Sequence, residues 1–559
     1  MKAHYSVWLV ATTLLMTACG SSDSPVANTN EEAPIVSPFV ADANDIVDPA
    51  SHYSAPLNVL NVQLKAVAGD TYTIADVNSD TDPNDGYEPE IKVHFTANDY
   101  PDDGKSNNAK LRIRGNSSRL GDQKSYRVKL AGTAALWRGE QTLQLNKHPF
   151  DLSRVRNKLA FDLFCDIPYL SSLRTQFVHI SFDDDANAAT PDVDYGLYTH
   201  VEKMGKEYLS NRGFNTSSNI YKAADFIFVP DSRLAVDGSG APVSKANFEK
   251  VLEIENGTDH RTLLSMIDAV NDESTDFNTT FSHYFNRNNY LTWLAVNILM
   301  GNHDTENQNF ALYQPAGGER FYFLPWDYDG SLGYEDQPDV KLAGSLYDSW
   351  QLGLANWWGI PLHRRFIEQP GNLDAIINAV RLLRRDYLSS AQIKTKTDSY
   401  KALVQPLVLA SPDIDHLPTL ASDNAGRQTE WNTEYTRLSG VVETNYQRFM
   451  SELQKPMPFF QAATISGADL VLSWDKATDL QNDAVSYSLQ IASQPDFATG
   501  SIKLSRTTSD LSATSSVLPA GTYYMKVIAT DSKGHSRAGF DRVSVSGQTY
   551  FGVYEFSIP

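Results

Sequence analysis

The chain has 559 residues, more than one hydrophobic core normally holds, so we expect two or three domains. Hydrophobic residues make up 41% and charged residues 21%, which is ordinary for folded globular protein. The formal net charge of −21 argues against a broad basic surface, and we therefore expect no nucleic-acid partner. It does not exclude a small anionic ligand, because a local Lys/Arg cluster or a metal ion can hold phosphate on an acidic protein.

The first twenty residues have the pattern of an export signal. A short apolar run over 7–16 ends at the small residues before Cys19. That run is too short to cross a bilayer, which takes about 20 apolar residues. The pattern resembles a bacterial lipobox, so we expect residues 1–19 to be a lipoprotein signal peptide and Cys19 to carry lipid. The alternative is a soluble secreted protein with ordinary cleavage.

The residues after Cys19 refine the predicted location. Gly20 and Ser21 follow with no aspartate, which by analogy favours the outer membrane. We expect a protein of the cell envelope, bound to the membrane through the lipid on Cys19. Cys165 is then the single remaining cysteine, which excludes a disulfide framework and a cysteine-based zinc site and predicts a buried thiol.

Composition and periodicity divide the rest of the chain into three parts. Residues 20–55, rich in Ser, Pro, Asn and acidic types, predict a flexible linker. Residues 56–455 begin with short alternating runs, including one at 72–74, that predict strands, and continue with long apolar patterns that predict helices. Beyond a Pro-rich break, residues 459–559 alternate with period two and resemble a fibronectin type III or immunoglobulin-like β-sandwich.

Two polar segments interrupt hydrophobic elements in the middle of the chain. The first contains Asp304 and, five residues later, Asn309; the second contains Asp327 and Asp329 directly after a strand of aromatic residues. Phosphoryl transfer assisted by a metal ion needs a carboxylate near the acceptor hydroxyl and oxygen ligands for Mg²⁺. On a continuing strand both later carboxylates would face one side, whereas a turn would separate them.

Each of these residues also has a simpler explanation. Asp304 and Asn309 are common turn or capping residues, and Asp327 and Asp329 could end a loop or bind Ca²⁺ for structural reasons. Taken together, a helix, D-x₄-N and a strand, followed by a second strand and D-x-D-Gly, favour a functional site.

The ordered motifs resemble the CotH kinase family (spore coat protein H-like) over roughly residues 57–450. They are Arg114-Gly115-Asn116-Ser117-Ser118, Lys124 to Leu130, Arg156 to Ala160, Tyr195 to Tyr198 with Glu202, Asn302 to Asp304 with Asn309, and Pro325 to Asp329. The resemblance implies an α+β, atypical protein-kinase-like domain with a strand-rich N-lobe and a helical C-lobe, followed by the all-β sandwich. It also implies phosphorylation of protein hydroxyls with ATP and Mg²⁺ or Mn²⁺.

The resemblance assigns roles to individual residues. Asp304 matches the catalytic aspartate, and Asn309 and Asp327 match metal ligands, with Asp329 as a further candidate. The turn Arg114–Ser118 would approach the phosphates with backbone N–H groups and hydroxyls.

The sequence does not decide which of several cationic side chains binds the phosphates. Arg127 and Lys129 share one face of a strand, and Lys124 has the opposite parity. Lys124 is preferred because it is near the turn; Lys222 is another candidate, and Glu202 is placed with the nucleotide site. For each lysine, a solvated strand face is the alternative.

The predicted location and the predicted chemistry conflict, because little ATP is found outside the cytoplasm. More than one function is therefore possible. The chain is predicted to be a phosphotransferase acting on exported proteins or surface polymers. One alternative is a catalytically idle lipoprotein that uses the kinase-like domain and the sandwich as a binding or adhesion scaffold. Another is a metal-dependent hydrolase or other transferase.

Overall fold

The structure is a computed structural model that describes residues 34–559 except 54, 84–85, 101, 103, 106, 185–191 and 345–346. The chain divides into residues 1–36 and the compact unit Ser37–Pro559. The predicted signal peptide and Cys19 lie outside the described residues. No helix in the described part of the chain is long and apolar enough to cross a membrane.

The described helices are α1 Ile74–Ser79, α2 Arg156–Phe164, α3 Lys206–Asn211, α4 Lys245–Phe248, α5 Arg261–Asn271, α6 Phe277–Tyr284, α7 Arg287–Met300, α8 Pro338–Ala343, α9 Pro361–Ile367, α10 Asn372–Asp386, α11 Ser390–Val408, α12 Asn424–Arg437 and α13 Val441–Glu452. The described strands of the first 455 residues are β1 Val59–Ala66, β2 Ile91–Ala97, β3 Ala109–Arg114, β4 Ser125–Leu130, β5 Thr142–Asn146, β6 Thr175–Asp183, β7 Val193–Val201, β8 Asn219–Ala223, β9 Leu252–Asn256, β10 Phe310–Gln314 and β11 Tyr322–Pro325. Those of the C-terminal part are β12 Gln461–Ser466, β13 Asp469–Trp474, β14 Val485–Ala492, β15 Ile502–Thr508, β16 Ser512–Ser516, β17 Gly521–Asp531, β18 Ser536–Ala538, β19 Arg542–Val545, β20 Gln548–Phe551 and β21 Val553–Ile558.

The N-terminal strands close into a barrel in the order β1-β2-β3-β4-β5-β7-β6. The ladder between β1 and β6 is parallel and the others are antiparallel. Alternate residues point inward, so that Val93, Leu111, Val128 and Leu143 are fully buried in one core. Closure removes exposed sheet edges and fixes which face of each strand can reach a neighbouring site.

The segment predicted as a strand at 72–74 is instead the start of α1. Thr73 caps the helix by accepting from the backbone N–H of Asp76, whose carboxylate accepts in return from the backbone N–H of Thr73. This reciprocal capping satisfies two otherwise unpaired donors, and it outweighs the strand preference of Tyr72 and Ile74.

A second sheet, in the order β11-β10-β8-β9, packs with the helices around α7. The helix α7 is buried on nearly all sides and begins at Asn286, whose side chain accepts from the backbone N–H of Asn289. It ends at Gly301, which adopts a left-handed conformation (φ 64°) that costs glycine little. The chain therefore leaves the core abruptly and enters a polar loop.

The C-terminal part is rich in β-strands, as predicted. One sheet has the order β12-β13-β16, and the other has β15-β14-β17-β18 with β21 beside β17. Leu472, Leu489 and Val527 from both sheets share one core. The mixed α+β architecture, with a strand-rich beginning, a helical middle and a β-rich end, is thus confirmed; likeness to fibronectin type III remains a prediction.

The predicted linker over 20–55 extends too far toward the C-terminus. In its described part, Asp48 is buried and lies 3.0 Å from Arg212 Nε, and Asp45 accepts hydrogen bonds from Asn288. A buried carboxylate is stable only when it is paired, so this stretch is fixed to the domain. Composition could not show this, because the partner Arg212 lies 164 residues further along the chain.

Candidate functional site

A cleft of about 1300 Å³ lies between strands of the barrel and the second sheet. Its walls come from β3 and β4, from the turn after β3, and from β8 and β9. The loops before β10 and after β11 also line it, and they bring Asp304, Asn309, Asp327 and Asp329 to the same cleft. The two polar segments singled out in the sequence therefore meet in space.

The loop between α7 and β10 holds Asp304 between two side-chain amides. Gln308 Nε2 donates to Asp304 Oδ1 at 2.7 Å, and Asn309 Nδ2 donates to Oδ2 at 2.8 Å. Burial raises the pKa of Asp304, although these two hydrogen bonds act in the opposite direction. The spacing of five residues thus corresponds to a direct contact, which leaves the amide oxygen of Asn309 available to a ligand.

The loop after β11 presents Asp327 in a left-handed backbone conformation, with φ of 55°. Two asparagines hold this loop: Asn302 Nδ2 donates to the carbonyl oxygen of Asp327 at 3.2 Å, and Asn157 Oδ1 accepts from the backbone N–H of Tyr328 at 3.1 Å. Asn309 also has positive φ, 57°. Non-glycine residues with positive φ cost free energy and concentrate at functional sites.

The two carboxylates after β11 perturb each other. Burial and the charge of Asp329 raise the pKa of Asp327 to about 7. Burial acts in the same direction on Asp329 and is the largest single effect, but the hydrogen bond with His148, the charges of His148 and Arg114 and a hydrogen bond with Asp327 together lower the pKa of that carboxyl. Two close carboxylates with separated pKa values repel each other when both are ionised, and a divalent cation relieves that repulsion.

The donor set fits a hard divalent cation. Asp327, Asp329 and Asn309 all line the cleft and offer carboxylate and amide oxygens, which are the ligands that Mg²⁺ and Mn²⁺ prefer. The turn that begins at Asp329 does not take the two aspartates to different sites, since both line the cleft.

One residue at this centre, His148, was missed in the sequence. It follows β5, and its Nδ1 lies 3.1 Å from Asp329 Oδ2. Its other ring nitrogen lies 3.5 Å from Asn157 Nδ2, so the same asparagine contacts both His148 and the loop of Asp327. No local spacing marks His148, because the packing of the barrel against the loop after β11 brings it to Asp329 over 181 residues.

The turn after β3 lines the upper wall of the cleft, with all five residues from Arg114 to Ser118. Gly115 has φ of 87°, and a Cβ there would lie 2.0 Å from Ser118 Oγ, so the tight turn requires glycine. Arg114 donates a hydrogen bond to the side chain of Asn146 and is near enough for Asp327 and Asp329 to raise its pKa, although burial lowers it overall.

The cation of β4 that lines the cleft is Arg127, and the preference for Lys124, which directly precedes this strand, is wrong. Lys124 shares parity with the buried Tyr126 and does not line the cleft; its Nζ donates to the backbone carbonyl of Arg119 at 2.6 Å. Arg127 is half-buried in the cleft wall, and its Nε is without a hydrogen-bond partner in the described part of the chain. A buried guanidinium nitrogen of this kind suits an anion.

Lys222 on β8 lies in the cleft, as expected. Its Nζ is 2.7 Å from Glu253 Oε1 on the neighbouring strand β9 and 5.4 Å from the ring centroid of Trp326. It also lowers the pKa of Asp327 through its charge, although burial dominates that carboxyl. Lys222 is thus a second cation close to the carboxylates.

Glu202 does not line the cleft, which contradicts its predicted place with the nucleotide. Its side chain is fully buried, lying 2.8 Å from Arg212 and 2.8 Å from Arg174. Burial opposes ionisation, but these two guanidinium groups lower the pKa of Glu202 to about 2. Glu202 therefore belongs to a structural ion network, and its partners could not be inferred from the motif around it.

Cys165 does not line the cleft. Cys19 lies outside the described residues. Cys165, at the end of α2, is partly buried, and burial raises the pKa of its thiol, so it is not a ready nucleophile.

The sequence profile of the family described as CotH kinase protein matches residues 111–449, more than half of the chain. This range contains the barrel strands β4–β7, the cleft carboxylates and all of the helices from α2 to α13 except the end of the last. The chain belongs to the CotH kinase family.

Two individual proteins show the extent of the similarity. The inner spore coat protein H of Bacillus subtilis (strain 168) is 27% identical over 226 residues, which cover 40% of this chain and 58% of that relative. The chain thus matches less than two thirds of that relative's length. The crystal structure of a Helicobacter pylori proinflammatory kinase, CtkA, aligns with a TM-score of 0.25 and 11% identity, covering 58% of this chain and 91% of that one.

Proposed function

We propose that this protein transfers phosphate from ATP to hydroxyl groups of proteins, with Mg²⁺ or Mn²⁺ held in the cleft. The observation that carries the proposal is the meeting of Asp304, Asn309, Asp327 and Asp329 beneath a wall of arginines. Membership of a family described as kinase proteins supports it.

In this proposal, different residues of the cleft bind the phosphates, hold the metal ion and accept the proton of the acceptor hydroxyl. Arg114, Arg127 and Lys222 would bind the phosphates, because cations with unpaired or partly shared donors bind anions well in a half-buried cleft. Asp327, Asp329 and Asn309 would hold the metal ion, which when bound neutralises charge on the phosphates. Asp304, whose pKa is raised by burial, would accept the proton of the attacking hydroxyl.

The location of this activity is also a proposal. The export signal, the lipid on Cys19 and the outer membrane favour exported proteins or surface polymers as acceptors. The idle scaffold remains the rival function, and it predicts no need for an intact cleft.

The test is transfer of the γ-phosphate from labelled ATP with Mg²⁺ or Mn²⁺, to the chain itself or to a Ser-rich protein. We expect transfer by the wild type and at least about a hundredfold loss in Asp304→Asn, because general-base catalysis contributes that much. Asp398→Asn, an exposed carboxylate of α11, is the matched control and should transfer at the wild-type rate. A wild type that neither binds ATP nor transfers phosphate would favour the scaffold.

A further inference from the structure

Three aspartates meet at one end of the C-terminal β-rich part. Asp479 and Asp483 lie in the loop between β13 and β14, and Asp531 ends β17. The ladder between β14 and β17 pairs Val485 with Asp531, which brings that loop beside the strand end. Each aspartate offers a carboxylate oxygen, and these oxygens lie within 4.8 Å of one another.

The burial of Asp479 is only partly compensated by hydrogen bonds. Asp479 is 7% exposed and Asp531 is 5% exposed. Asp479 Oδ1 accepts from the backbone N–H groups of Gln481 and Asp483, both at 2.9 Å. Its other oxygen, Oδ2, is buried and finds no hydrogen-bond partner among the described residues. A buried carboxylate oxygen left unpaired is costly, and the oxygens of Asp483 and Asp531 beside it add repulsion.

The nearby cations do not serve Asp479. Lys533 Nζ is 3.8 Å from Asp483, and its side chain is 64% exposed. His535 Nδ1 is 2.8 Å from Asp531 Oδ2. Asp479 Oδ2 is therefore the oxygen left for a ligand shared by all three carboxylates.

We propose that this trio binds a calcium ion. Ca²⁺ takes six to eight oxygen ligands at about 2.3–2.6 Å, so two of its ligands can lie up to roughly 5 Å apart. The spread of the three carboxylates fits that range, and backbone oxygens and water would complete the shell. Mg²⁺ needs a tighter octahedron and loses water reluctantly, so it fits the trio less well.

The site also stands at the junction with the helical region. Leu480, next to Asp479, packs against the core that contains α7, and Gln481 Nε2 donates to the carbonyl of Leu453 at 3.0 Å. On the other side of the site, Arg537 Nη1 lies 2.7 Å from Glu452 Oε2 at the end of α13. A cation that fixes the loop of Asp479 would therefore fix the β-rich part onto the helical region.

The test uses the full chain carrying Asp327→Asn and Asp329→Asn, so that the cleft does not contribute to metal binding. Calorimetric titration should give one Ca²⁺ per chain, with Mg²⁺ at least about tenfold weaker, and saturating Ca²⁺ should raise the thermal midpoint by about 5 °C. Adding Asp479→Asn should weaken Ca²⁺ binding at least about tenfold. Asp469→Asn, an exposed aspartate of β13, removes the same charge in the same part of the chain and should change nothing.

A second variant covers the case in which Asp479→Asn does not fold. Asp483→Asn changes a side chain that is 23% exposed and keeps an oxygen for Ser532, and it too should weaken Ca²⁺ binding. Absence of Ca²⁺ binding, unchanged binding in the variants, or Mg²⁺ binding as tight as Ca²⁺ would each overturn the proposal. Hydrogen exchange over 478–483 should slow with Ca²⁺, and unchanged exchange would overturn the role at the junction.

Discussion

Arg127 lies directly opposite Arg112 on neighbouring strands, so two guanidinium groups stand side by side at the wall of the cleft. Like charges directly opposite in a ladder are destabilising. Arg112 has a partner in Glu88, whereas Nε of Arg127 is left unpaired within the described residues. An anion between the strands would relieve the repulsion, and this is where we expect the phosphates.

Replacing Arg127 tests that placement. Arg127→Gln should weaken binding of ATP with Mg²⁺ by about tenfold or more, because a charged hydrogen bond contributes about 1.5–3 kcal/mol. Lys124→Gln is the matched control, since Lys124 does not line the cleft and its ammonium group is hydrogen-bonded to the carbonyl of Arg119, and it should change the dissociation constant less than about twofold. Equal losses in both variants, measured by calorimetry, would contradict the assignment.

Asp327 should destabilise the metal-free protein. Its pKa is about 7 in the folded state and about 3.9 when unfolded, so between these pH values only the folded state holds the proton. The contribution of Asp327 to the free energy of unfolding therefore falls as pH rises from about 4 to about 7, and stays low above that. Without metal at pH 8, Asp327→Asn should be more stable by about 1–2 kcal/mol, after allowance for screening.

The measurement is urea unfolding at pH 4 and pH 8 in the presence of a chelator. The variant's gain in free energy of unfolding should be present at pH 8. It should nearly vanish at pH 4, where Asp327 of the folded wild type is protonated and, like the asparagine of the variant, neutral. A variant that is less stable than the wild type at pH 8 would show that the charge of Asp327 is already compensated within the chain.

The same proton should compete with the metal ion. Because the metal ion needs ionised Asp327, affinity for Mn²⁺ should fall about tenfold for each pH unit below about 7 and level off above it. Titration of Mn²⁺ at pH 5.5, 6.5 and 7.5 measures this. Asp327→Asn should bind weakly at each pH, and a flat profile in the wild type would speak against Asp327 as a ligand.

Glu202 should matter for stability and not for the nucleotide. Glu202→Gln leaves the buried guanidinium group of Arg212 and the partly buried one of Arg174 beside a neutral side chain, which should cost about 3–5 kcal/mol of the free energy of unfolding. Urea unfolding measures this loss, and the KM for ATP of the folded protein should stay within about twofold. A large change in KM with unchanged stability would return Glu202 to the site.

The sequence was most informative where the residues of the site lie close together along the chain. Asp304 and Asn309 share one loop, so their contact followed from five residues of sequence. The orientation of β4 is also readable from the sequence, since Lys124 has the parity of Tyr126 and Val128, which the barrel buries. Alternation along the strand is therefore a better guide to the cleft-facing cation than nearness to the turn.

The sequence does not predict contacts between residues that only the packing of distant segments brings together. His148 meets Asp329, and Asp48 meets Arg212, over more than 160 residues each, and neither pair leaves a periodic trace. The predicted place of Glu202 at the nucleotide site was wrong for the same reason, because the motif indicates the position of Glu202 in the chain and not the direction of its side chain.

The proposed function requires that the cleft bind ATP and that this binding depend on the metal ion. Calorimetric titration of ATP into the full chain, with and without Mg²⁺, tests this directly. We predict one ATP bound per chain in the presence of Mg²⁺, and at least about tenfold weaker binding without it or in Asp327→Asn. Absence of ATP binding, or binding that is indifferent to both Mg²⁺ and Asp327, would contradict the account.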